Sequence, residues 1–186
     1  MLVMWTAAKE RAMHGRIWIL LALLPMVAMA DPPDAARGEL RMALKGQALV
    51  AHLSLPAPAV VGFDHAPAGD DEKMAVTNAL ARLGKASNVL EPLAEAGCEV
   101  TREGVETGLA PLEQGDAPAS KPASNPAFQA RYAWHCATPQ ALLAVDVPLL
   151  EFLNGVALDT LVVTDQGPRS LILAAPQTRL PIVEQP

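Results

Sequence analysis

Two alternating runs of apolar and polar residues, separated by Gly46-Gln47, constrain the fold of this chain more than any other stretch. The runs cover residues 39–45 and 48–55, and in each of them the leucines fall on one side of the alternation. Successive side chains of a β-strand point to opposite faces, so each run predicts a strand with one apolar face. A two-residue connection that begins with glycine is typical of a type II′ hairpin. We therefore expect His52 on the face opposite the leucines.

A third alternating run, residues 128–136, brings Phe128, Tyr132 and Trp134 to one face. Its polar members, among them His135, fall on the other face. Aromatic residues favour strands that pack against a core, so the run predicts a central strand. We also assign Trp134 and the more distant Phe63 to the core.

The segment between the second and third runs changes to a helical period. Apolar residues recur at helical spacing over residues 76–83, after three acidic residues that suit the positive end of a helix. Residues 87–97 predict a second short helix, so that the two form a helical hairpin. Residues 109–126 lack an apolar period and predict a flexible loop. The fold class predicted is α+β: an antiparallel β-sheet with a helical hairpin inserted after the second strand, and one disulfide.

The first 30 residues have the layout of a secretory signal peptide. Basic residues at 9, 11 and 16 precede a short apolar run, and Ala28-Met29-Ala30 matches a cleavage signal. The alternative, a membrane anchor, needs roughly 20 apolar residues, more than this run supplies. We expect residues 31–186 to form a single exported domain without a stable membrane span. Translation from Met13 would produce the same signal.

The charge of the exported part argues against nucleic acid as a partner. Cleavage removes three of the 14 basic residues and one of the 20 acidic residues, leaving 11 against 19 and a net charge of −8. Binding to a phosphate backbone depends on clustered lysine and arginine, which this sequence lacks.

Cys98 and Cys136 are the two cysteines of the chain. An even number in an oxidising compartment favours one disulfide. A thiolate metal site is the alternative, although cysteines without C-x-x-C spacing are less typical of one.

Three histidines of the exported part are candidate metal ligands. If the strands of His52 and His135 are neighbours, both rings could share a zinc ion with a carboxylate. His65 follows Asp64 on a turn, where the pair could be a carboxylate-tuned ligand set. The alternatives are two solvent-facing strand residues and a hydrogen-bonded turn. The candidate metal residues are therefore His65, Asp64, His52 and His135.

No catalytic motif is present in the sequence. A G-x-S-x-G elbow, a Walker loop, a dinucleotide glycine fingerprint and an H-E-x-x-H helix are all missing. His135 and Cys136 are adjacent on a strand and point to opposite faces, so they cannot act as a pair. We expect a protein that is not an enzyme, with no catalytic residues.

The order of these features resembles a known family. GFDHAP at residues 62–67 and Trp134-x-Cys136-x-x-Pro139 are its most specific parts, within a similarity from Arg37 to about Leu180. The chain resembles the zinc-regulated, ZrgA-type periplasmic proteins that assist zinc uptake in Gram-negative bacteria.

This resemblance implies a periplasmic zinc-binding protein that assists zinc uptake or homeostasis, with a zinc-uptake transporter component as partner. It also carries over His65, either as a metal ligand or as a residue that builds the turn, and a Cys98–Cys136 bridge. The family is rich in histidine near the mature N-terminus and in the loop between the cysteine strands, but residues 31–40 and 110–126 contain no histidine here. The alternative is a non-catalytic interaction or structural module of the envelope that kept the fold and lost the metal.

Overall fold

The architecture is described by a computed structural model over residues 37–109, 126–153 and 155–182 of the 186. The strands are β1 Arg37–Lys45, β2 Ala48–Pro56, β3 Glu91–Pro92, β4 Cys98–Thr107, β5 Ala127–Cys136, β6 Ala144–Asp146, β7 Ala157–Thr164, β8 Gly167–Ala174 and β9 Arg179–Pro181. The helices are α1 Ala57–Val61, α2 Asp70–Leu83 and α3 Leu149–Phe152, with 3-10 turns at Ala86–Asn88, Ala94–Ala96 and Pro139–Ala141.

Six strands form the main sheet, in the order β4-β5-β2-β1-β7-β8. All neighbours are antiparallel except β1 and β7, which run parallel. A three-stranded sheet, β3-β6-β9, is separate in its hydrogen bonding. The predicted α+β class is confirmed, and the hairpin predicted around Gly46-Gln47 is β1–β2. A second hairpin is β7–β8. The tight turn of the first hairpin has Gly46 at φ 57°, a conformation that glycine adopts without steric cost.

The alternating sequence pattern places one face of the main sheet on the core. Leu40, Leu49 and Leu55 are fully buried on this face, as is Phe128 of β5, and Trp134 is nearly so. The opposite face, which we call the open face, is turned to solvent. Its residues are Glu39, Arg41, Val50, His52, Ser54, Gln129, Arg131, His135, Asp159, Val163 and Ile172.

The helical part after β2 differs from the prediction. Helix α2 forms over the expected residues, but the segment predicted as a second helix contains two 3-10 turns and the short strand β3. Pro92 explains the difference, because proline lacks an N–H and biases the preceding residue away from helix. Helix α1 was not predicted. Pro58 lies in its first turn, where proline is tolerated, and Gly62 ends it at φ 87°.

A disulfide joins Cys98 at the start of β4 to Cys136 at the end of β5, with an S–S distance of 2.07 Å. The two residues stand directly opposite each other in the antiparallel pair. The predicted disulfide is confirmed, and both sulfur atoms are occupied by it. A thiolate metal site is therefore excluded.

Tyr132 connects β5 to the end of α2. Its buried hydroxyl donates a hydrogen bond to the carbonyl oxygen of Leu83, the last residue of α2, at 2.6 Å. Burial raises the pKa of Tyr132, with a smaller contribution from the nearby Glu103 carboxylate, so the phenol keeps its proton. This hydrogen bond satisfies one of the carbonyl groups that a helix leaves without an intrahelical partner at its C-terminus.

We expect Tyr132→Phe to lower the free energy of unfolding by about 1–3 kcal/mol, because it leaves the buried Leu83 carbonyl without its donor. Urea titration followed by circular dichroism measures the change. Thr77→Val is a matched control, since the exposed Thr77 hydroxyl also donates to a helix carbonyl, Lys73 O at 2.9 Å. An equal effect of the two substitutions would contradict this role of Tyr132.

Glu103 connects β4 to the same region. Its carboxylate accepts hydrogen bonds from the Ala86 N–H and from Lys85 Nζ, each at 2.9 Å. The Ala86 bond, followed by the Lys85 bond, lowers the pKa of Glu103. A carboxyl whose pKa is lower in the folded state stabilises that state above its unfolded pKa, and the contribution disappears as pH falls through the folded pKa.

Glu103→Gln should therefore destabilise the protein at neutral pH by at most about 1 kcal/mol, because the pair is partly exposed. The difference in free energy of unfolding between wild type and variant should decrease steadily below the ordinary pKa of a glutamate. Urea titrations at a series of pH values measure this trend. A difference that stays constant down to acid pH would contradict the assignment.

The predicted signal peptide and nearly all of the predicted loop at 109–126 lie outside the described residues. Within the described ranges, no helix is both long and apolar enough to cross a membrane.

Candidate metal-binding residues

His65 lies in the loop between α1 and α2, which begins at Gly62 and ends at Gly69. Phe63, half-buried against the core, anchors the start of this loop. The His65 ring stacks on Phe63, with 5.1 Å between ring centroids and 26° between planes. The histidine is thus held by an aromatic contact at the surface, and its imidazole stays accessible to solvent. Phe63 packs against the core less completely than predicted.

The carboxylate nearest to His65 is that of Glu72, in the first turn of α2. His65 Nδ1 lies 3.9 Å from Glu72 Oε2 and 3.0 Å from the carbonyl oxygen of Ala66. Glu72 Oε2 also accepts a hydrogen bond from the Ala68 N–H at 2.8 Å, which fixes the carboxylate beside the loop. Glu72 was not among the predicted ligands. The signal in the sequence was the acidic first turn of α2, which was assigned to the helix dipole instead.

Asp64 takes a different position from the one predicted. It is exposed, and it makes no hydrogen bond to His65 within the described loop. The imidazole turns toward Phe63 and Glu72 rather than toward Asp64. The structure therefore pairs His65 with Glu72.

His52 and His135 lie on neighbouring strands and on the open face, as the prediction required. Their register separates them, because His135 stands opposite Ala48 whereas His52 stands opposite Arg131. Four residues along a strand correspond to about 13 Å, too far for two rings to share an ion.

The surroundings of His52 also disfavour a cation. Arg41 on β1 and Arg131 on β5 stand directly opposite His52, one on each side. Arg41 Nε donates to Glu39 Oε1 at 2.8 Å, and Arg131 Nη2 lies 3.2 Å from Glu106 Oε1. A divalent ion at His52 would meet both guanidinium groups, whose like charge repels it. His52 instead lines an open polar cleft of about 440 Å³, together with these arginines, Glu39, Ser54 and Gln129.

The predicted residues do not form a closed zinc site. A structural zinc ion takes four ligands in a tetrahedron. In the part of the chain that the structure describes, no three His, Cys, Asp or Glu side chains are grouped to hold one ion. Among the predicted metal residues in the described ranges, His65 has a carboxylate oxygen close to its ring, Glu72 Oε2 at 3.9 Å from Nδ1.

The comparison with known families decides the identity. A sequence model of the ZrgA family, described as zinc uptake proteins, matches residues 35–182 of the 186. The chain belongs to the ZrgA family. The match covers the span over which the sequence resemblance was noted, so that interpretation is confirmed. No curated protein gives a significant match to this chain.

ZrgA membership connects this chain with zinc uptake, although its described histidines are dispersed. Two regions where the resemblance leads us to expect histidine contain none, at residues 31–40 and 110–126. Within the described part of this ZrgA protein, the loop of His65 is thus the place where metal chemistry has most support.

Proposed function

We propose that this protein is a periplasmic, non-catalytic accessory of zinc uptake that holds zinc weakly at His65 and Glu72 and passes it to a transporter component. Export follows from the predicted signal peptide, and the connection with zinc follows from the family. The observation that carries the proposal is the 3.9 Å separation of His65 Nδ1 and Glu72 Oε2.

This separation suits a shared ion. Zinc bonds of about 2.0–2.2 Å to nitrogen and oxygen place two tetrahedral ligand atoms roughly 3.3 Å apart. Zinc at Nδ1 takes the place of the proton that this nitrogen donates to the Ala66 carbonyl, and the proton is released to solvent. A small rotation of either side chain then closes the difference in distance. Both side chains are accessible, with exposed fractions of 57% for His65 and 35% for Glu72, so an ion can reach them from solvent.

Two protein ligands make a weak and exchangeable contact. Structural zinc sites with four ligands contribute about 10–16 kcal/mol of binding free energy. With half the ligands, we expect about half of this, which corresponds to a Kd of roughly tens of micromolar. Zinc held in this way is released readily, as an accessory that delivers its ion requires.

A second candidate function is an interaction module of the envelope that acts in zinc uptake without binding the ion. The dispersal of His52, His65 and His135 favours it, because a protein that stores zinc gathers its ligands. In this alternative His65 builds the loop through its stacking on Phe63.

Growth under zinc limitation separates the two candidates. A strain without its own copy is complemented with wild type, His65→Ala or the control His135→Ala, which removes an exposed histidine elsewhere. We expect wild type and His135→Ala to restore growth and His65→Ala to fail, at equal periplasmic protein levels. Full restoration by His65→Ala would support the module, and no restoration by wild type would exclude both candidates.

A further inference from the structure

The main sheet ends in two edge strands, β4 and β8, which differ in chemistry. An edge strand presents unpaired backbone N–H and C=O groups that can pair with another chain. Proteins that avoid such pairing place charges, bulges or covering elements on the edge.

The β4 edge carries these protections. Its register with β5 is interrupted between Val100 and Arg102, which marks a bulge. Charged residues Glu99, Arg102 and Glu106 are exposed along it. Helix α2 packs beside this strand, and the Lys85–Glu103 ion pair reinforces that contact.

The β8 edge has no bulge and no covering helix within the described residues. It pairs with β7 at eight consecutive positions without interruption. Its single charged side chain, Arg169, is turned away to donate to the Pro181 carbonyl at 3.2 Å. Ile172 is 58% exposed, and no strand in the described ranges pairs with the outer side of β8.

The hairpin turn determines which backbone groups of β8 point outward. A two-residue turn closes β7–β8 at the Thr164–Gly167 pair, and hydrogen bonds to β7 then recur at every second residue. The outward groups therefore belong to the residues between: Pro168, Ser170, Ile172 and Ala174. Of these, the Ala174 carbonyl already accepts the Gln177 N–H at 2.8 Å.

We propose that β8 pairs antiparallel with β8 of a second copy, about a two-fold axis at Leu171. Ser170 then faces Ile172 of the other copy, and each such pair exchanges two backbone hydrogen bonds. Ala174 donates its N–H to the Pro168 carbonyl of the other copy. The reciprocal bond of this pair is absent, because Pro168 has no N–H. The Ala174 carbonyl that would accept it is already bonded to the Gln177 N–H, so no group is left unpaired.

This register leaves no outward backbone group of β8 unpaired, which is why we assign a second copy of the same strand as the partner. The side chains agree with it. Arg169 stands opposite Leu173 of the other copy, so the two arginines lie at opposite ends and like charges do not meet. A two-fold interface requires such self-complementarity. Strand pairing alone buries less than the 1,200–2,000 Å² or so of a stable interface, so we expect a Kd in the micromolar range.

Sedimentation equilibrium of the protein purified from the periplasm tests the dimer. Wild type should change from monomer to dimer with concentration, and Ser170→Pro should stay monomeric because it removes an outward N–H without touching the bonds to β7. Val163→Lys, on the open face one strand inward, is the control and should dimerise normally. A monomeric wild type, or a dimer that survives Ser170→Pro, would overturn the proposal. Thermal unfolding verifies that each variant is folded.

Cross-linking tests the register. Leu171→Cys places a thiol on the two-fold axis, where directly opposed residues of a non-hydrogen-bonded pair come close enough for a disulfide. Mild oxidation should link two copies of this variant efficiently and those of Ile172→Cys poorly, because Ile172 faces Ser170. Equal linking of both variants, or none in the first, would contradict the assigned register. Neither outcome depends on zinc binding.

Discussion

Replacing both Cys98 and Cys136 with alanine should lower the free energy of unfolding by about 4 kcal/mol. The bond closes a loop with a sequence separation of 38 residues, and the chain-entropy relation gives this value for a loop of that length. Domains of this kind are stabilised by about 5–15 kcal/mol in total, so the loss is a large fraction. Urea titration of the double variant measures it.

Reduction of the wild-type disulfide is the matched control, because it removes the crosslink and keeps both side chains. Cys136 is fully buried, so alanine there also removes packed volume. We expect reduced wild type to lose nearly as much stability as the double variant. A loss below about 1 kcal/mol in both would show that the crosslink contributes little.

Phe128→Ala should have an effect of similar size, a loss of about 3–5 kcal/mol. Phe128 is among the largest fully buried side chains and stands on β5 between Leu55 of β2 and Thr107 of β4. Its removal leaves a cavity that strands paired on both sides cannot readily close. Denaturant titration at constant m-value gives the change.

Gln129→Ala is the control on the same strand. Gln129 is the next residue and points to the open face, where it lines an open polar cleft. We expect this substitution to change stability by no more than about 0.5 kcal/mol. If the two substitutions cost the same, the assignment of the two faces of β5 would be wrong.

The strands were predictable because their period of two is unbroken. The alternation over residues 39–55 and 128–136 predicts which face each side chain takes, and the structure agrees. The parallel pairing of β1 with β7 leaves no such local pattern, because it joins segments more than a hundred residues apart. The prediction of a second helix was wrong, because Pro92 disfavours a helix there even though the flanking leucines have helical spacing.

The candidate site was predictable only in part. The sequence pattern placed His52 and His135 on the polar faces of two strands, as the structure has them. The distance between the two rings depends on the register of β2 with β5, which the alternation of apolar and polar residues does not specify. Glu72 reaches His65 from seven residues away because the loop folds back on α2. The loop takes this path because Phe63 packs against the core and the Ala68 N–H donates to Glu72 Oε2. Neither contact can be inferred from the local sequence pattern.

A calorimetric zinc titration of tag-free protein purified from the periplasm tests the proposed function most directly. Wild type should bind one zinc ion with a Kd of roughly tens of micromolar, and His65→Ala should weaken binding at least about tenfold. Glu72→Gln should also weaken binding, because it removes the charged ligand while its amide oxygen can still accept the hydrogen bond from the Ala68 N–H. His52→Ala, the control, should bind zinc like wild type. Absence of binding in wild type, or binding unchanged by His65→Ala, would contradict the account.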